Sequence, residues 1–273
     1  AEELWATPVP EVYDAKLVYA PSSQELLLLG SPVTGGAPDH VWRLAIATGQ
    51  WEGPAASSAL RGRRGYSADY DPVLHRVVIF GGARSSLGSA PGDEQVGATA
   101  LSSEVVLLDP SWLGATVRAT STADGTGLAR SLHGSRLVPE KRALYVQGGT
   151  RDGVVQGDAW RLDLMTWTWQ RLPGEGPAVT EPFVTYDPRA DQLWVGRFQG
   201  AELREGLNLW GLDRTGAWQA SAALRVTAPD RFPVDDVLSG SQAGLYLWSP
   251  PEGTPLPGAY LLAEVTATAG QVG

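Results

Sequence analysis

Apolar residues in this chain come in runs of about four to six, broken by Gly, Pro, Asp and Ser, and no stretch sustains a helical period. This pattern predicts short β-strands throughout. Four of the runs share one layout. LLLL at 26–29, VVIF at 77–80, LYVQ at 144–147 and LWVG at 193–196 each follow a tight turn at Pro21, Pro72, Pro139 or Pro188. At one constant distance from its proline each run stops, at Gly30, Gly81, Gly148 and Arg197. A third run follows at 40–46, 104–109, 158–164 and 207–213, and it puts Trp42, Trp160 and Trp210 in one slot. A fourth carries Trp51, Trp169 and Trp218, so close behind that only a hairpin joins it to the third.

A fifth copy is degenerate. LYLWS at 245–249 and GAYLLAEV at 258–265 match the second and third runs, with Tyr260 in the tryptophan slot and no fourth-run tryptophan. Near the N-terminus Trp5 and Pro8 of LWATP resemble WEGP at 51–54, so residues 1–8 are expected to complete the last unit. The repeat divides a single domain, 1–273, into units at 11–54, 61–120, 128–173, 178–222 and 230–268. Closing such a series on itself hides its unpaired strand edges.

Units of about 50 residues with four strands each describe blades of a β-propeller. The Gly81-Gly82 and Gly148-Gly149 pairs, the lead-ins Arg63…Tyr66 and Arg130…His133 and the spaced aromatics resemble the kelch repeat. The resemblance is clear in copies two and three and weaker in the others; Gly30 is single and Arg197 replaces a glycine. It implies an all-β propeller of about five four-stranded blades closed by the N-terminal strand. Galactose oxidase, which has a kelch-like propeller, uses a tyrosine crosslinked to cysteine. This chain has no cysteine, so that chemistry does not carry over.

The absence of cysteine also removes disulfides and thiolate metal sites. Net charge is −9, which disfavours nucleic acid and anionic membranes as partners. No apolar run reaches the roughly 18 residues of a membrane span. The chain begins at Ala1 without Met, and we expect an exported product, or part of a longer chain or assembly. Apart from Lys16 and Lys141 the basic residues are arginines, as a GC-rich bacterial genome would give.

No catalytic signature is present. His40, His75 and His133 lack metal-ligand spacing, and neither Asp93-Glu94 nor Asp235-Asp236 has the alternation of a calcium loop. No cofactor or metal is expected. The slot tryptophans are read as packing between sheets, and His133, which matches Tyr66, as a hydrogen-bonded structural residue. Loops are the remaining candidates: those joining second to third strands and those joining units share one end of the fold. They carry Arg84, Asp93, Glu94, Arg151, Asp152 and Arg204 as candidate contacts. Arg63, Arg130 and Arg231 occupy one repeat position. They are expected either to converge on an axial opening that takes an acidic ligand, or to be bonded within their own units to backbone or to acids such as Asp69 or Asp235. The reading is a non-catalytic module that binds a partner protein or an acidic ligand or glycan. The alternative is a lectin or carbohydrate-active enzyme working at the channel mouth.

Overall fold

In a computed structural model the chain is described at residues 12–32, 40–56, 60, 62–84, 100–111, 115–122, 128–198, 207–220, 247–248 and 260–261. The architecture is all-β. The first sheet runs β1 (Val12–Ala20), β2 (Glu25–Pro32), β3 (His40–Ala45) and β4 (Gln50–Ala56), antiparallel and in chain order. After a short β5 (Arg63–Arg64), the second contains β6 (Ser67–Asp71), β7 (Arg76–Phe80), β10 (Val105–Leu108) and β11 (Ala115–Arg118). Between β7 and β10 lie β8 (Ala83–Arg84) and β9 (Ala100–Leu101), which join β5 in a small sheet of their own. A two-residue β12 (Ser121–Thr122) is the edge strand of the five-stranded third sheet, parallel to its neighbour. The rest of that sheet is β13 (Gly134–Val138), β14 (Ala143–Gln147), β17 (Ala159–Asp163) and β18 (Thr168–Arg171), with a hairpin of β15 (Thr150–Arg151) and β16 (Val154–Val155) set outside it. The fourth is β19 (Phe183–Asp187), β20 (Gln192–Phe198), β21 (Leu207–Leu212) and β22 (Trp218–Ala220). β23 (Leu247–Trp248) and β24 (Tyr260–Leu261) form a last antiparallel pair, with Trp248 opposite Tyr260.

Alternation along each strand explains how the sheets stack, because neighbouring side chains point to opposite faces. On β7, Val77 and Ile79 join Val18, Leu27 and Leu29 of the first sheet in one core. Val78 and Phe80, on the other face, join Leu144, Val146, Trp160 and Trp169 of the third sheet in a second core. A third core holds Tyr145 and Ala159 with Val184, Leu193 and Val195 of the fourth sheet. The second and third sheets are thus apolar on both faces and sandwiched between their neighbours in the chain, with β1 beside β6, β6 beside β13 and β13 beside β19. The tryptophan slots serve this packing. Trp42, Trp160 and Trp169 are buried, while Trp51, Trp210 and Trp218 are half-buried. Trp5, Trp112 and the 1–8 segment lie outside the described residues.

The repeat is also written in the backbone. Gln24, His75, Arg142 and Asp191, which precede the four second strands, all have positive φ between 46° and 54°. Asp14, Gly65, Leu132 and Glu181, which precede or begin the four first strands, have positive φ between 51° and 60°. Only one of these eight residues is glycine, so the tertiary structure imposes a conformation that side chains disfavour. Where the glycine pair is present the second strand ends before it, and Gly81 and Gly148 have φ of 66° and 69°. In copies one and four, which lack the pair, β2 and β20 continue to Pro32 and Phe198.

A β-carbon on Gly149, whose φ is 87°, would lie 2.5 Å from the Ser131 carbonyl oxygen and 2.9 Å from His133 Cβ. Gly149→Ala is therefore expected to lower unfolding free energy by roughly 2–4 kcal/mol, from backbone strain plus overlap with fixed main chain. Urea denaturation of the variant beside the wild type checks this.

Candidate functional site

The starts of the first strands and the ends of the second strands share one end of the assembly, together with the loops singled out above. A cleft of about 280 Å³ opens there, lined by Lys16 of the first sheet, Tyr66, Ser67 and Ala68 of the second, Leu132, His133 and Ser135 of the third, and Glu181 and Pro182 ahead of the fourth. The chain reaches this cleft from four successive units because main-chain bonds tie the units rung to rung. Gly65 N–H donates to the Asp14 carboxylate at 2.7 Å. Leu132 N–H donates to the Gly65 carbonyl, and Glu181 N–H to the Leu132 carbonyl, each at 2.7 Å. These are the residues of positive φ; the left-handed turn aims each N–H at the preceding unit.

The floor of the cleft is polar, and its side chains bond from one unit to the next. His133 is buried, with Nε2 at 3.0 Å from Ser67 Oγ and its ring edge-on to Phe80. Burial, then the charges of Arg130 and Lys16, push its pKa down to about 3, so it stays neutral. Asp69 accepts hydrogen bonds from Ser135 Oγ and from Leu137 N–H, the latter at 3.1 Å. Removal from water raises its pKa despite those bonds. Lys16 stands at the rim with Nζ 3.1 Å from Asp14.

Arg63 and Arg130 do not line this cleft. Both side chains are 0% exposed and turn beneath the glycine pairs into their own units. Arg63 donates to the Gly81 carbonyl, to Ser102 Oγ at 3.2 Å and to Glu104 Oε2 at 2.7 Å. Arg130 donates to the Gly148 carbonyl at 3.1 Å and grips Asp158 with both arms of its fork, at 2.9 Å each. Of the two readings weighed from the sequence, bonding within the unit describes these two arginines. The acid differs from the one expected: it is the residue opening the third strand, Glu104 or Asp158, while Asp69 bonds elsewhere. Burial tends to raise both carboxyls, but the arginine bonds and charges outweigh it and hold them below the usual carboxylate range.

The other candidates divide. Arg84 reaches the same Glu104 oxygen as Arg63, at 2.9 Å, with its own side chain 39% exposed. Arg151 lies beside Asp158 on the β15–β16 hairpin, and Asp152 sits exposed in the turn of that hairpin. Arg231, Asp93, Glu94 and Arg204 lie outside the described residues. Glu104 and Asp158 were missed in the sequence, although each stands two residues before the third-strand slot held by Val106 and Trp160. That shared offset was the available signal. Among the described residues no group of three or more His, Asp or Glu could hold a metal ion, and no helix is long and apolar enough to cross a membrane.

Two expectations follow. Arg130→Met should cost about 3–5 kcal/mol of stability, because Asp158 is left charged and buried without its partner; Arg130→Met with Asp158→Asn should recover part of that loss in the same denaturation assay. His133 sets an acid dependence. The unfolded chain takes up its proton near pH 6.5, the folded chain only near pH 3, so stability falls as pH drops through that window. Between pH 8 and pH 5 this group should remove about 2 kcal/mol from the wild type and nothing from His133→Gln. The check is the difference between the two proteins' urea midpoints at each pH.

No family model matches the chain, and no curated protein matches it in sequence.

Proposed function

We propose that this chain is a kelch-type β-propeller of five units that binds a partner protein or ligand at its looped end without catalysing a reaction. The carrying observation is the cleft that four successive units line at that end, ringed by an ammonium, a carboxylate, hydroxyls and a tyrosine. Such a mouth, built on rigid strands and flanked by loops, is the common form of a binding site in scaffold folds. The ionisable groups of its floor are engaged in holding strands together, which favours recognition over proton transfer.

Several features support the ring. Four sheets follow one another with their first strands side by side, and the β23–β24 pair falls at the second and third strands of the fifth unit. In the second and fourth sheets, Ala68, Tyr70, Val184 and Tyr186 pack against the preceding sheet. The matching residues of the first sheet, Leu17 and Tyr19, are each 48% exposed, as an apolar face that awaits a preceding unit would be. Residues 230–268, completed by 1–8, are the segment that suits it.

Removing residues 1–8 should then lower the melting temperature by several degrees, since it strips a strand and a tryptophan from the last unit; an unchanged melting temperature rejects closure by this strand. For the site, a panel of peptides and of neutral and acidic oligosaccharides is screened against the wild type by calorimetry. Lys16→Ala and Glu181→Ala should each weaken the best ligand by roughly fivefold or more with little change in melting temperature. Equal affinities would place binding elsewhere, and turnover of an oligosaccharide would replace the non-catalytic reading with the enzymatic one.

A further inference from the structure

Arg63 and Arg84 are Cα partners across the β5–β8 ladder. Like charges placed directly opposite repel, and among the described residues one carboxylate is seen to bond both. Glu104 Oε2 receives Arg63 Nη2 at 2.7 Å and Arg84 Nη2 at 2.9 Å, with Ser102 Oγ at 3.4 Å on the same atom. Two cations meet one anion. The next unit repeats the arrangement: Arg130 grips Asp158, and Arg151 adds its charge beside that carboxylate, at the matching positions of the motif.

The third sheet shows what the structural task requires. There one arginine saturates the carboxylate with both arms, and Trp160 Nε1 adds a bond at 2.6 Å. A second arginine is not needed to hold the glycine turn. In the second unit it even works against the first, since the Arg84 charge adds to burial in lowering the pKa of Arg63. Arg63 is sealed, whereas the Arg84 side chain is 39% exposed and its buried Nε has no partner among the described residues. On a chain of net charge −9, a cationic spot of this kind at the looped end is selective for an anion.

We propose that Arg84, backed by the buried Arg63–Glu104 pair, is a docking point for a carboxylate side chain of an acidic peptide segment in a partner protein, with Arg151 supplying the equivalent point one unit on. A planar guanidinium fork fits a carboxylate geometrically as well as electrostatically. The inference rests on the looped end being the binding end, but it does not require the axial cleft.

The test uses fluorescence anisotropy of a labelled hexaglutamate peptide, with hexaglutamine as its neutral counterpart. The wild type should bind hexaglutamate and not hexaglutamine. Arg84→Gln should weaken hexaglutamate by about tenfold, the scale of one charge-assisted hydrogen bond, and the loss should shrink as salt is raised from ~50 to ~500 mM. Arg84→Lys keeps the charge without the fork and should fall between. Arg76→Gln makes the same change in net charge at the opposite end, where Arg76 pairs with Asp109 and is 40% exposed, and should leave affinity unchanged. Equal binding of the two peptides, or an equal loss in Arg76→Gln, overturns the proposal. So does self-association of the wild type that Arg84→Gln abolishes, since the occupant would then be a second copy of this acidic chain. Loss of binding in Arg84→Gln with none in Lys16→Ala or Glu181→Ala would uphold this site while rejecting the cleft.

Discussion

The interaction on which the rest depends is a buried guanidinium placed under a glycine turn. Arg63 and Arg130 each bind the carbonyl of the first glycine and the acid that opens the third strand, so one side chain fixes the end of the second strand and the start of the third. A charge with no exposed surface is costly unless it is paired and hydrogen-bonded. The fork therefore tolerates little movement in the turn. That rigidity carries to the next unit, because Gly82 N–H donates to the Arg130 carbonyl at 2.7 Å and Gly149 N–H to the Val179 carbonyl at 2.8 Å. Arg130 thus organises its own sheet with its side chain and the preceding one with its backbone.

Around that anchor the sheets are held by two kinds of force in different places. Between faces the packing is apolar, with residues such as Phe80 set against Trp169 at 4.7 Å between ring centroids. At the looped end the linkage is polar and made by main chain in the left-handed conformation. At the opposite end it is polar through side chains: Arg142 reaches Asp71 at 2.7 Å, and Lys141 and Tyr186 both bond Asp191. Each sheet is therefore clamped to its neighbour at both ends and filled between, an arrangement that leaves relative sliding little freedom. The outer edge has one further tie, where β12, next in the chain after β11 of the second sheet, pairs in parallel with β18 as the edge strand of the third, and Arg118 lies 4.7 Å over the Trp167 ring.

This division of labour suits the looped end to the recognition proposed for it. Its backbone is fixed by the units below, so side chains there can be varied without cost to the core. The same anchor that holds the turn also presents a second arginine, and the acidic chain makes that arginine stand out.

How much of this was legible in the sequence depends on which force sets each feature. Strands, their order and the two-faced packing followed from alternation and from the fixed offsets after Pro21, Pro72, Pro139 and Pro188, because those are local and periodic. The structural role of His133 was legible through its match to Tyr66. For Arg63 and Arg130, bonding within the unit to a backbone carbonyl was among the readings weighed, but their acid partners were not identified. Glu104 lies 41 residues from Arg63 and Asp158 lies 28 from Arg130, across loops of unequal length, so only the fold brings them into contact. Nor did composition reveal the left-handed backbone at Leu132 and Glu181, since Leu and Glu do not favour it; there each N–H bonds a carbonyl of the preceding unit. The sequence by itself determined the element types, their periodicity and the apolar faces, because each needs only local patterning and burial. The tertiary structure decided which charges are sealed and which face solvent, because that depends on neighbours distant in the chain.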